Sequence, residues 1–280
     1  MSYAPEVIEA WEKAKLARVN AYADYSKVKV GAALKVKGEA LIYSGSNVEF
    51  CVNGARLIGD MSGAVYWPAT DALIVADLHL EKASAYATRG VALPPYDTTE
   101  TLNRLEACLE RFAPRLFVSL GDSFHDTGWQ ERMAAGDAAR LVSLSRQIET
   151  VWVLGNHDPA PPSGLAGKGC ESLDMSADGS LHFRHEPISR DSAAFTRGEV
   201  AGHMHPCARV QQRGRVLRRR CFVEDTTRLI LPAFGAFTSS LNVVDSAFDA
   251  VFEAGHFNAW MIGKNTIAGL SANQLSPDRG

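Results

Sequence analysis

"VWVLGNHDPA" (residues 151–160) changes character halfway along. Residues 151–154 make a short apolar run suited to a buried strand, and Gly155 frees the backbone to turn. An amide, an imidazole and a carboxylate follow at once in Asn156, His157 and Asp158, before Pro159 closes the segment. A polar turn at a strand end is one reading. A strand that delivers metal-capable side chains to a site is the other, and the rest of the chain decides between them.

Outward from this segment, apolar runs at 72–76 and 116–120 read as strands, with helices expected near 98–112 and 129–147. Strands alternating with helices predict an α/β fold with parallel segments. Beyond residue 180, shorter strands at 181–184, 199–202, 208–212, 216–223 and 229–231 predict a second sheet packed on the first. The expected architecture is a β-sandwich flanked by helices. Residues 159–169 read as a Pro/Gly loop, and 271–280 as a frayed tail. At the other end, Val7, Ile8, Trp11, Ala14 and Leu16 fall at helical spacing, and 28–36 with 40–43 predict a hairpin around Gly38. That makes a small α+β N-terminal appendage.

A 280-residue chain with 46% apolar and 22% charged residues suits a soluble globular protein. Its net charge of −3 excludes a molecule that is basic overall, so any nucleic-acid surface must be local. Cys51, Cys108, Cys170, Cys207 and Cys221 are scattered, without a CxxC pair, and signal neither a disulfide framework nor a cysteine zinc site. Reduced thiols, no signal-peptide core and no bilayer-length apolar run predict a cytoplasmic protein with no membrane partner.

Metal-capable residues recur just past the predicted strands. "VADLHL" offers Asp77 and His79, which in an extended segment point to the same side. "SLGDSFHD" offers Asp122, His125 and Asp126, "LGNHD" offers Asn156 and His157, "FRHEP" offers His185, and "AGHMHP" offers His203 and His205. Six of the eight histidines lie in these motifs, which makes chance turns a poor explanation of the whole series. Carboxylate, imidazole and amide donors without thiolate suit Mn²⁺, Fe²⁺ or Zn²⁺. Open α/β sheets place ligands at the carboxyl ends of strands, where most of these motifs fall.

The ordered set D-x-H, G-D, G-N-H-D, H and G-H-x-H resembles the calcineurin-like metallophosphoesterase superfamily over about residues 62–245. The resemblance implies a first divalent metal on Asp77, His79, Asp122 and His205, and a second on Asp122, Asn156, His185 and His203. It also implies a phosphoesterase whose nucleophile is a metal-bridging hydroxide, with manganese as the expected ion and iron or zinc as alternatives. His157 would protonate the leaving oxygen or stabilise charge on the phosphorus centre, Asp158 would orient it, and His125 would complete the catalytic group.

"GDSFHD" resembles the GD-x-F-H form of repair nucleases of the SbcD type. "HLEKASAYATRGVALPPYDT", "FRHEP", "RRRCF" and "LPAFGAFTSSLNV" are similar to the ligase-associated DNA damage response endonuclease branch. That resemblance implies DNA as substrate, a DNA-repair role, and a helicase or ligase as partner. A basic run bearing Arg215, Arg218, Arg219 and Arg220 is either a stripe for a phosphate backbone or a solvated strand. Phe124 and Trp129 either stack a base or fill the core. Glu81, Lys82 and Arg89 are further candidates for the cleft wall.

"AYADYSKVKVGAALKVKGEALIYSGSNVEF" is similar to the first part of cytidine deaminases, which would place a ribose on Asn47 and Glu49. No P-C-x-x-C or His/Cys-x-Glu unit follows, so no deamination is expected. The expected organisation is a non-catalytic deaminase-like segment at 1–50, a metallophosphoesterase domain at 51–250, and a partly disordered extension at 251–280. A small-molecule or nucleotide phosphatase or phosphodiesterase is the alternative activity; a nucleoside-binding protein is a further one.

Overall fold

The computed structural model describes residues 32–34, 42–45, 47–212 and 215–278. The expected N-terminal helix lies outside the described residues, as do parts of the hairpin. Its described strands, β1 (Ala32–Leu34) and β2 (Ile42–Gly45), pair antiparallel.

Among the described residues there are two sheets. The first runs in chain order through β3 (Asn47–Val52), β4 (Ala55–Asp60), β5 (Val65–Trp67), β6 (Ala72–Val75), β7 (Leu116–Leu120), β8 (Glu149–Val153) and β9 (Lys168–Cys170). β3 to β6 pair antiparallel and β6 to β9 parallel, as the strand–helix alternation predicts. β3 passes through residue 50, so its pairing with β4 straddles the boundary expected there.

The second sheet contains β10 (Ser172–Ser176), β11 (Ser180–Arg184), β12 (Glu199–Ala201), β13 (Pro206–Gln212), β14 (Arg215–Glu224), β15 (Arg228–Ile230), β16 (Leu241–Asn242), β17 (Asn258–Ile262) and β18 (Ile267–Ser271). β18 pairs with β17 and, on its other side, with β2.

The packing follows from the two-residue period of strands. Ala72 and Ile74 of β6 enter the core between the sheets with Phe50, Trp67, Val118, Phe183, Val200 and Phe222. Leu73 and Val75 point the other way, toward Leu102, Leu105 and Phe112 of a helix. β6 is therefore buried on both faces and reads as one continuous apolar run. Four α-helices occur among the described residues: α1 (Lys82–Ala87), α2 (Asp97–Phe112), α3 (Trp129–Arg132) and α4 (Ala135–Gln147). α2 and α4 cover the first sheet. The outer face of the second is covered by Phe248, from a 3-10 turn (Ser246–Phe248), and by Val251, Phe252 and Phe257 from irregular chain.

Two expectations are corrected. The single helix near 129–147 is broken by extended backbone at Met133 and Ala134. Through residue 278 the tail is docked, not frayed. Ser271 and Gln274 form a capping box, the Ser276 amide donates to the Arg209 carbonyl at 2.8 Å, and Asn242 Nδ2 donates to the Ser276 carbonyl at 3.0 Å.

Candidate metal centre

The crossover topology brings the loops after β6, β7, β8, β11 and β12 to one place, and each carries one of the motifs. Asp77, His79 and His205 form one donor cluster, and Asp122, His185 and His203 a second, with the ligand atoms of each within 4.8 Å of one another. Asn156 Oδ1 joins the second, 2.9 Å from His185 Nε2. Asp122 of the second cluster also stands beside the first: its Oδ2 is 3.4 Å from His185 Nε2 and 3.7 Å from His79 Nε2. Its other oxygen, Oδ1, accepts the His157 amide at 2.9 Å.

The same-side argument for Asp77 and His79 is corrected. Both lie past the end of β6, and the backbone is left-handed at each, with φ of 55° and 43°. Asp122, His203 and His205 share this conformation, at φ 48°, 65° and 44°. For non-glycine residues it costs about 1–2 kcal/mol each, a strain that marks backbone held for function. Gly155 makes the close approach possible. A Cβ there would sit 2.3 Å from both the amide nitrogen and Oδ1 of Asp122.

The imidazole tautomers suit a cation. His185 Nδ1 donates to the Leu120 carbonyl at 3.0 Å and His205 Nδ1 to the Ser239 carbonyl at 3.0 Å. In their neutral forms both rings then present an Nε2 lone pair to the cluster. His79 Nε2 faces His205 Nε2 at 3.2 Å, and His203 Nδ1 faces His185 Nε2 at 3.1 Å. Burial works to lower the pKa of His185, yet the hydrogen bond to Asp122 and the charges of Asp77 and Asp122 lift it to about 9. Burial works to raise Asp122, but the hydrogen bond and charge of His185 and the His157 amide hold it at about 2. A divalent ion supplies the charge that the two carboxylates demand, so the donor set fits divalent metals.

His125 and His157 border this centre. Their rings stack 5.0 Å apart, and both lie close enough to His79 to form a third group with it. His157 Nδ1 donates to the His125 carbonyl at 2.7 Å. The orienting role expected of Asp158 thus falls to that carbonyl. Asp158 instead accepts the amides of Asp122 (2.9 Å), Gly155 (3.0 Å), Ser123 (2.7 Å) and Phe124 (3.3 Å). Burial, with the Asp122 charge, raises its pKa to about 6. Burial, followed by the charge of His157, depresses His125 to about 4.

The four arginines are divided, because a strand alternates its faces. Arg215 and Arg219 are exposed, and Arg219 donates to the Arg218 carbonyl. Arg218 is held by Asp278 at 3.2 Å and by the Ser240 carbonyl at 2.7 Å. Arg220 turns inward, donates to the carbonyls of Ser62, Ala233 and Met61, and lines a cleft with His205. Phe124 and Trp129 are core residues, stacked on each other at 3.8 Å. Glu81 is buried and accepts from Thr98 and Ser84. Glu49 is paired with Arg56 at 2.9 Å. The residue that sequence reasoning missed is Arg104, which shares the Arg220 cleft. Its spacing from Thr101 and Cys108, on the buried face of α2, was the available signal.

A search of curated proteins found no significant match. The nuclease MPE of Pseudomonas putida shares 28% identity, with a TM-score of 0.59, over 80% of this chain and 100% of its own. The Escherichia coli phosphoesterase Yfce shares 13% over 72% of this chain and 99% of its own, at a TM-score of 0.37. The calcineurin-like phosphoesterase profile matches residues 71–219, the stretch from the start of β6 to β14 that carries every donor named above. The chain belongs to the calcineurin-like phosphoesterase family, and it is a metal-dependent phosphoesterase, a hydrolase of phosphate esters.

Proposed function

We propose that this phosphoesterase is a nuclease that hydrolyses phosphodiester bonds of DNA with two divalent ions, manganese foremost, with iron or zinc as alternatives. The observation that carries the substrate is the likeness to a bacterial nuclease whose whole length is covered. The two-ion count rests on Asp122 Oδ2, which lies between His79 and His185. Asp77, His79, Asp122 and His205 would hold one ion, and Asp122, Asn156, His185 and His203 the other.

When bound, such ions acidify a water and polarise phosphoryl oxygens. The chain's own residues do the rest. The His157 amide fixes Asp122 by one oxygen and leaves the other to the donor clusters. The His125 carbonyl holds the proton of His157 on Nδ1, so any second proton the ring takes up sits on Nε2. That ring is more than a third exposed, and its Nε2 stands 3.9 Å from Asp122 Oδ2. It is placed to give the Nε2 proton to a leaving oxygen.

A DNA-repair role in the cytoplasm, with a helicase or ligase partner, is part of the same proposal. It is supported by the branch resemblance. Among the described residues, no helix is long and apolar enough to cross a membrane. The segment 1–50 is assigned no chemistry.

The test is hydrolysis of bis-p-nitrophenyl phosphate and of single- and double-stranded DNA by metal-free protein with Mn²⁺ restored, beside Asp122→Ala. DNA cleavage that needs both Mn²⁺ and Asp122 supports the reading. Cleavage of the small esters alone, with DNA intact, replaces it with a nucleotide-sized substrate.

A further inference from the structure

Beside the donor clusters lies a cleft of about 260 Å³, lined by His205, Arg104, Arg220, Gly235, Thr238 and Ser240 among others. It has room for several waters. Among the described residues its lining carries two guanidiniums, an imidazole and two hydroxyls, and no carboxylate. Arg104 reaches it from α2, with its guanidinium 5.0 Å from the Phe234 ring centre. Its Nε is buried without a hydrogen-bond partner. Arg220 reaches it from β14, held by the carbonyls of Ser62 and Ala233.

Two cations here face a common space. Burial, then the like charge of Arg104, pushes Arg220 down to about 10. Burial lowers Arg104 as well, with the charge of Glu100 partly opposing it. Side by side they repel, and the nearby acid Asp60 is engaged by Arg111 at 2.7 Å. An anion in the cleft would relieve that repulsion. Paired guanidinium forks and hydroxyls match phosphate oxygens.

We infer that this cleft is a subsite for a second phosphate of the substrate, bound by Arg104 and Arg220 while the neighbouring ester is cleaved at the donor clusters. The inference rests on the phosphodiesterase reading and narrows it to substrates that carry a phosphate flanking the scissile one. His205 joins the two places, since it lines the cleft and belongs to the first donor cluster. The flanking phosphate could be an internal diester of a polynucleotide or the terminal monoester of a short nucleotide.

The experiment compares kcat/KM for TpT, TpTpT, pTpT and TpTp on the manganese-loaded protein and on Arg104→Met, which keeps the stem packed on Phe234. The wild type is expected to prefer substrates with a flanking phosphate by at least about tenfold, as charge-assisted hydrogen bonds would give. Arg104→Met should erase that preference, leave TpT and bis-p-nitrophenyl phosphate hydrolysis within about twofold, and Arg104→Lys should restore part of it. Preference for TpTpT over pTpT and TpTp assigns a polynucleotide; the reverse assigns a terminal phosphate. An undiminished preference in Arg104→Met, or an equal loss on TpT, overturns the subsite.

Binding of TpTpT against TpT to metal-free protein, where no cleavage occurs, reads the cleft separately. If the wild type cleaves no diester, the phosphodiesterase reading fails. A TpTpT preference in binding that Arg104→Met abolishes would still uphold the cleft, and equal binding by both proteins would overturn it.

Discussion

Asp158 Oδ1 accepts the backbone amide of Asp122 at 2.9 Å, so the carboxylate standing between the two donor clusters is set in place by a second carboxylate that belongs to neither. The same side chain gathers the amides of Gly155, Ser123 and Phe124, tying the loop after β8 to the loop after β7. Asp158→Ala strands these buried donors. Each unsatisfied group costs about 1–3 kcal/mol, so a loss of about 3 kcal/mol or more is expected, with weaker Mn²⁺ binding. Urea unfolding and metal titration check it. Unchanged Mn²⁺ affinity would show that the loops hold their places without the clamp.

Gly155→Ala is expected to damage the centre without removing a donor. The new Cβ overlaps the Asp122 amide and Oδ1, and both belong to backbone and side chain that cannot swing away. Metal affinity should fall about 10–100-fold, the range for disturbed support around ligands. Calorimetric titration of Mn²⁺ reads this directly. Gly121→Ala should act alike, because Gly121 has φ 71° and a Cβ there would lie 2.5 Å from the His185 ring.

Metal count distinguishes the shared donor from the others. Asp122→Asn is expected to weaken both ions, whereas His203→Ala, which removes a donor of one cluster only, leaves one tight site. Because a ligand that binds only the folded chain stabilises it, the melting temperature of the wild type should climb with added Mn²⁺. Two equivalents bound by Asp122→Asn with wild-type affinity would argue against a bridging carboxylate.

If His157 protonates the leaving oxygen, the benefit depends on the leaving group. His157→Gln should lower DNA cleavage by about 10²–10⁴-fold, the usual contribution of a positioned acid. The same variant should barely affect bis-p-nitrophenyl phosphate, whose nitrophenolate departs without a proton. Equal losses on both substrates would point to a binding role for the ring.

Away from the centre, Glu199 is buried between Arg228 and Arg184, at 3.3 Å and 3.2 Å. Burial raises its pKa, partly opposed by the Ile188 amide and the two arginines. An acid with a raised folded pKa binds its proton more tightly when folded. Its contribution is full below its ordinary value near 4.5 and is lost as pH rises through the folded value. Glu199→Gln should remove this component of the slope in urea unfolding series taken upward from pH 4.5. Glu199→Ala, which strands the fully buried Arg228, should cost about 3–5 kcal/mol at neutral pH.

What the sequence determined by itself was the donor set and the parallel core of the first sheet. Metal-capable residue types are recorded one by one at strand ends, and a strand buried on both faces reads as an unbroken apolar run, as at 72–75 and 151–153. Tertiary structure alone decided how those donors meet. The left-handed backbone at Asp77, His79, Asp122, His203 and His205 is imposed by crossing loops, since isolated residues of these types would avoid it. The carbonyls of Leu120, Ser239 and His125 orient three imidazoles, and a carbonyl has no residue signature. Arg104 and Arg220 lie far apart in the chain, and only the packing of α2 against the sandwich sets them beside one cleft. A contiguous arginine run, by contrast, was split by the alternation of β14, because neighbours along a strand face opposite sides.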